Sequence, residues 1–178
     1  MTFARTTTAE YTENASSTTV ATATYTSTAG RLIAGYVAWE GGNTTVSVAD
    51  TAGNTYVVGT PIPHGSTPDQ VIASFYCLSS LGNASNVVTA TFGAARSVRI
   101  IQLAEYSAAG AVTYDGTANG YSTSTGPVTT GNITTTGAVG LLFAGAMGYN
   151  NTTLTATALL TLIAQVGNFG ADGERLLS

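Results

Sequence analysis

Residues 31–40, RLIAGYVAWE, are apolar on both faces of an extended chain. Successive side chains of a β-strand point to opposite faces, so a strand of this kind must be covered on both sides. Residues 97–106, SVRIIQLAEY, have the same character over most of their length. The two stretches predict long central strands in a structure of packed β-sheets.

Composition extends this prediction to the whole chain. Thr, Tyr and Gly are abundant, whereas Lys, Glu, Gln and Met are scarce, a balance that favours strands and turns over helices. Apolar segments recur every 8 to 14 residues, which is typical of a sandwich or a barrel. We expect one all-β domain over residues 1–178, an antiparallel, jelly-roll-like sandwich of about nine or ten strands, with residues 1–15 as an extended N-terminal arm.

Glycine, proline, asparagine and aspartate mark the expected turns. Residues 50–54, DTAGN, have the side chains of a hairpin loop, and residues 55–58 would form the returning strand. We expect connecting segments at 61–68, 82–85 and 93–95. Residues 16–26 alternate small and hydroxyl side chains, which predicts an outer strand, and residues 138–147 predict a buried one.

Charge is rare in this chain. Only 8% of the residues are charged, the net charge is −4, and the cations are five arginines with no lysine. Nucleic-acid binding and attachment to anionic membranes need clustered positive charge, so neither class fits. A polar, weakly charged surface suits a protein outside the cytoplasm or one covered by neighbouring subunits.

The single cysteine and the apolar segments of the chain bear on its cellular location. The single cysteine, Cys77, lies in an apolar run and is expected in the core, which leaves no intrachain disulfide. Residues 138–147 form the richest apolar run and are too short to span a membrane. No apolar targeting segment follows Met1. We therefore expect an extracellular or virion-surface location, with an export signal already removed or with delivery as part of a virus particle.

Two motifs resemble those of bacterial and phage extracellular β-sandwich modules of poorly defined function. The first is a strand followed by Gly-Asn-Thr-Tyr, here residues 46–56, and the second is Glu-Tyr-Ser at residues 105–107, where Ala108 replaces the usual glycine. The strand at 32–39 also matches, and the resemblance covers roughly residues 17 to 175. It implies a sandwich fold and a role as an appendage of secreted proteins or in phage structural proteins, and it implies no chemistry.

The resembling modules usually continue beyond the segment equivalent to residues 170–174 by a further strand or two, whereas this sequence ends at Ser178. This difference suggests a strand vacancy or an exposed sheet edge. A neighbouring subunit or the chain's own N-terminus would fill it.

Catalytic chemistry has few candidates. His64 is the only histidine and would need Asp69 or Asp50 and a serine to form a triad, but no Gly-x-Ser-x-Gly motif is present. Glu40 and Glu105 each end a strong strand, and at one end of the sandwich they would resemble a glycosidase pair. We expect Glu105 instead to hold a loop by accepting hydrogen bonds, with Arg99 or Arg31 neutralising it, and we predict no enzymatic activity.

Binding candidates lie in the loops. Asp50 and Asn54 are weak candidates for Ca²⁺ because hard cations prefer loop oxygens, with Asp115 and Asp172 weaker still; no other cofactor is expected. Carbohydrate recognition would use exposed rings and amides. The candidates for it are Tyr114, Tyr121, Tyr149, Asn150 and Trp39.

These observations favour a non-catalytic structural or assembly module of an external surface, such as a virion decoration protein, a fibre or a filament subunit. Its partners would be copies of itself or other structural subunits, met through sheet edges. The alternative is a carbohydrate-binding or adhesion module of a secreted bacterial protein. A small hydrolase is the third hypothesis, and it requires Glu40 and Glu105 to face one cleft.

Overall fold

A computed structural model describes residues 2–42, 44–64, 70–120, 132–136 and 140–147, and the backbone of residues 161–166 and 170–177. All regular elements in these ranges are strands, and all strand pairs are antiparallel. The all-β, antiparallel prediction is confirmed. The strands are β1 (Phe3–Glu13), β2 (Ser17–Ala21), β3 (Tyr25–Ser27), β4 (Leu32–Glu40), β5 (Val46–Asp50), β6 (Val57–Val58), β7 (Ile62–His64), β8 (Gln70–Cys77), β9 (Asn83–Asn86), β10 (Val88–Arg96), β11 (Arg99–Ala108), β12 (Gly140–Met147), β13 (Thr161–Val166) and β14 (Gly170–Leu177).

The central sheet has the order β1-β11-β4-β8, and β6 and β7 both pair with the far side of β8. Strands β4 and β11 lie in its middle, as their apolar sequences predicted. The N-terminal residues expected as an extended arm form β1, which runs along β11 from Phe3 to Glu13. The place beside β11 is therefore occupied by the chain itself, and the outer side of β1 becomes the sheet edge.

A second sheet, with the order β2-β10-β5, stacks on one face of the central sheet. The β3–β9 pair continues it, because the Thr22 amide donates to the Val88 carbonyl at 2.9 Å and the Val88 amide donates to Thr22 Oγ1 at 3.1 Å. Trp39 and Phe92 meet in this interface with ring centroids 5.0 Å apart. These two layers form the sandwich that the sequence predicts.

The other face of the central sheet is covered by a third sheet with the order β12-β14-β13. Leu141 and Phe143 of β12 pack against the cluster that contains Leu32 and Ala34 of β4, while Met147 packs against the cluster that contains Tyr36. Cover on both faces explains why eight consecutive residues of β4 are buried. Strand β12 itself is only partly buried, so the prediction of a buried strand at 138–147 is correct for the strand over Gly140–Met147 and wrong for its exposure; residues 138–139 lie outside the described residues.

Several local predictions are wrong; they concern strand pairing, the loop segments and the number of strands. Residues 50–54 do not close a hairpin, since β5 pairs with β10 and β6 pairs with β8 in the other sheet. The segments expected to be loops or turns contain strand β7, strand β9 and part of β10. The described residues hold fourteen strands instead of nine or ten because several of them are only two to four residues long.

No helix in the described ranges has the length and apolar character needed to cross a membrane.

Candidate functional site

The Gly-Asn-Thr-Tyr motif builds a hydrogen-bond cluster around Asp50, which we call the Asp50 hub. The Asp50 carboxylate accepts the Asn54 amide N–H at 2.9 Å, Asn54 Nδ2 at 2.6 Å, the Tyr56 hydroxyl at 2.8 Å and Asn86 Nδ2 at 3.0 Å. Asn54 Oδ1 in turn accepts the Leu81 amide at 2.5 Å. The hub thereby ties the crossing between the two sheets to the loop that precedes β9.

Asn86 is the buried arm of the Asp50 hub. It is fully buried, and its Oδ1 accepts Thr51 Oγ1 at 3.1 Å and the Ala52 amide at 3.2 Å. Its Nδ2 also lies 3.2 Å from the Tyr25 hydroxyl. Buried polar groups cost free energy unless they are paired, so this amide fixes the geometry of the crossing.

Ionisation in the Asp50 hub follows from burial and hydrogen bonding. Burial raises the pKa of Asp50, but the donors from Asn86, Asn54 and Tyr56 together outweigh it and the pKa lies below its ordinary value. Burial raises the pKa of Tyr25 to about 12. Asp50 is therefore a carboxylate, and its oxygens point at protein donors instead of an open cation site. Within the described residues, no three His, Cys, Asp or Glu side chains form a metal-binding group.

Glu105 is fully buried near one end of β11. Its Oε2 accepts the Thr28 amide at 3.0 Å, and its Oε1 accepts Thr6 Oγ1 at 3.0 Å. In register Glu105 lies opposite Ile33, whereas Glu40 is seven residues further along β4. At about 3.3 Å per residue the two positions are about 23 Å apart along the strand. The hydrolase hypothesis requires the two glutamates to face one cleft, but the antiparallel register places them at opposite ends, far beyond glycosidase separation.

Arg99 lies at the other end of β11, six residues or about 20 Å from Glu105, so it does not neutralise that carboxylate. Its side chain is 1% exposed and donates to the backbone oxygens of Ala15, Ser17 and Arg96. Burial lowers the pKa of Arg99, and the nearby Glu13 carboxylate opposes that change. The guanidinium thereby holds the connection between β1 and β2.

An open cleft of about 460 Å³ lies above Arg99, between the end of β1 and strand β2. Tyr11 is 45% exposed, and its hydroxyl donates to Glu13 Oε2 at 3.3 Å. Glu13 Oε1 accepts the amides of Asn14 and Ala15 at 2.8 and 2.9 Å, which lowers the pKa of Glu13. Sequence reasoning missed this cleft, because Arg99 is 84 residues from Ala15 and no local pattern connects them.

Of the residues expected to bind carbohydrate, the structure describes Tyr114 and Trp39. Tyr114 is 51% exposed and stacks on Tyr76, with centroids 4.9 Å apart and planes 9° apart. Trp39 is completely buried, so its proposed role as a surface platform is wrong: its strand is covered on both faces. Tyr121, Tyr149 and Asn150 lie outside the described residues.

The remaining candidates are dispersed. His64 ends β7 at the edge of the central sheet and pairs in register with Gln70, and Asp69 lies outside the described residues. Asp115 accepts the Thr136 amide at 2.7 Å and the Thr136 hydroxyl at 2.6 Å. Asp172 lies in β14, where only the backbone is described.

Comparisons of this chain with protein-family models, curated proteins and solved structures found no match.

Proposed function

We propose that this protein is a non-catalytic structural module that assembles on an external surface, as a virion decoration protein, a fibre or a filament subunit, through the outer edge of β1. The supporting observation is that β1 is eleven residues long, ends the strand order of the central sheet, and pairs among the described strands only with β11. A strand edge with open backbone groups is a template for pairing with another chain.

The side chains of β1 favour contact with a second copy. The central part of the strand is Thr-rich and exposed, and the chain as a whole carries few charges that would repel a neighbour. Threonine suits a pleated, half-buried surface. Two of the candidate catalytic carboxylates, Asp50 and Glu105, are engaged as acceptors in structural contacts, which favours assembly over catalysis.

Charge complementarity selects one register for this pairing. The ladder with β11 shifts between Arg5 and Thr7, so Thr6 is the extra residue of a bulge. Because Thr6 has no place of its own in the ladder, Arg5 lies two ladder positions before Thr8 and Glu10 lies two ladder positions after it. Both point to the same face, because their partners Tyr106 and Gln102 do. Two antiparallel β1 strands related by a two-fold axis through Thr8 would place each arginine opposite the other copy's glutamate.

The test measures molecular mass across protein concentrations by analytical ultracentrifugation for four proteins: the parent, Arg5→Glu, Glu10→Arg and the double variant. Each single variant places like charges opposite each other at two points, at about 0.5–1 kcal/mol each, so we expect association about tenfold weaker. The double variant restores opposite charges and should restore association. A parent that stays monomeric throughout, or a double variant as weak as the single ones, contradicts the proposal.

A further inference from the structure

We propose that the cleft between the end of β1 and strand β2 binds a neutral pyranose unit of a glycan, a site separate from the assembly edge. The cleft is lined by Tyr11, Glu13, Ser17, Thr19 and Arg99, among others, and its volume of about 460 Å³ falls in the range of small-molecule sites.

The tyrosine and the carboxylate form a fixed pair at the mouth of the cleft. The Tyr11 ring is 45% exposed, while its hydroxyl is tied to Glu13. Two backbone amides hold the Glu13 carboxylate from the other side. An oriented aromatic face suits the C–H face of a sugar ring, and a fixed carboxylate accepts hydrogen bonds from sugar hydroxyls. Little ordering entropy is then lost on binding.

Strand β2 adds further polar groups to the lining. Ser17 Oγ accepts the Thr19 amide at 3.2 Å and lies 3.4 Å from Thr19 Oγ1, so two hydroxyl groups lie close together beside the cleft. Arg99 is 1% exposed and donates to the backbone oxygens of Ala15, Ser17 and Arg96, so it fixes the shape of the cleft from beneath.

Charge selects the ligand class. The cleft contains one carboxylate, Glu13, and one guanidinium, Arg99, so its formal charge is balanced. A phosphate or sulfate group would meet the exposed carboxylate, and a purely apolar ligand would strip water from it at a cost. A neutral polyhydroxylated ring with one apolar face satisfies both constraints.

The experiment is a ligand-observed NMR titration of the intact protein with glucose, galactose, mannose and N-acetylglucosamine and their short oligomers, with inorganic phosphate as a separate probe. We expect at least one sugar to bind. Tyr11→Ala should weaken that binding about tenfold, whereas Tyr11→Phe, which keeps the ring, should weaken it less. Glu13→Gln should weaken binding without loss of the fold.

Val57→Ala is the control, because Val57 is similarly exposed but lies outside the cleft. It should leave sugar binding unchanged. Absence of binding by every sugar, binding of phosphate in their place, or loss of binding in Tyr114→Ala with none in Tyr11→Ala each overturns the proposal. Tyr11 and Glu13 project from the face of β1 opposite to Arg5 and Glu10. Tyr11→Ala should therefore sediment like the parent, so that failure of sugar binding can be told apart from failure of assembly.

Discussion

Two substitutions of Asp50, the carboxylate at the centre of the Asp50 hub, should destabilise the fold to different extents. Asp50→Ala deletes four hydrogen bonds and leaves the buried Asn86 amide short of an acceptor. At about 1 kcal/mol for each bond, we expect a loss of about 4 kcal/mol in the free energy of unfolding. In Asp50→Asn the amide oxygen can still face the three donors that meet Oδ2. This variant loses the fourth hydrogen bond, and the remaining three no longer involve a charged acceptor, so we expect a loss of about 2 kcal/mol in the free energy of unfolding.

The pH dependence gives an independent check on the same contacts. The folded pKa of Asp50 lies below its ordinary value of 3.8, so the unfolded state binds its proton first as the pH falls. The stabilisation is therefore complete well above pH 3.8 and is lost as the pH falls through the folded pKa. The difference in stability between the parent and Asp50→Asn should shrink across that acidic window.

The assay is urea denaturation followed by tyrosine and tryptophan fluorescence at neutral pH and at several acidic values. Asp115→Ala is the matched control, because Asp115 also accepts two hydrogen bonds but is exposed, and it should change stability by less than about 0.5 kcal/mol. If Asp50→Ala costs no more than this control, or if Asp50→Asn keeps the parent's acid dependence, the hub is not the structural element described here.

Three further predictions concern packing, thiol chemistry and metal. Gly35→Ala should prevent stable folding, because its Cβ would lie 2.5 Å from the Gln102 carbonyl oxygen, whereas Gly116→Ala, 3.5 Å from its nearest neighbour, should be close to neutral by thermal unfolding. Burial raises the pKa of the Cys77 thiol, so it should react with Ellman's reagent at mildly alkaline pH only after denaturant is added. Calcium should leave the melting temperature unchanged, and a rise that EDTA reverses would contradict the account of the Asp50 hub.

Local sequence could predict the strands but not their partners. Residues 50–54 have the chemistry of a hairpin loop, and the same Asx and glycine geometry serves equally well where the chain crosses from one sheet to another. Whether a hairpin or a crossing forms depends on later strands of the chain, because β5 pairs with β10 in one sheet and β6 pairs with β8 in another.

The sites illustrate the same division. The sequence singled out Asp50 as a loop carboxylate and Glu105 as a strand-end carboxylate, with Arg99 as a candidate partner for Glu105. It left open whether Glu40 and Glu105 share one end, which the antiparallel register of β4 and β11 rules out. It overlooked Tyr11 and Glu13, which become neighbours of Arg99 only when β1 adds to the edge of the central sheet.

The amino-acid sequence by itself determined that the chain is all-β, that residues 32–40 and 99–106 are interior strands, and that the surface carries little charge. These properties follow from the side-chain pattern of a strand and from composition, which do not depend on distant residues. Only the tertiary structure decided the three stacked sheets, the Asp50 hub, the edge formed by β1 and the cleft above Arg99. Each of these depends on contacts between residues many positions apart, which no local pattern encodes.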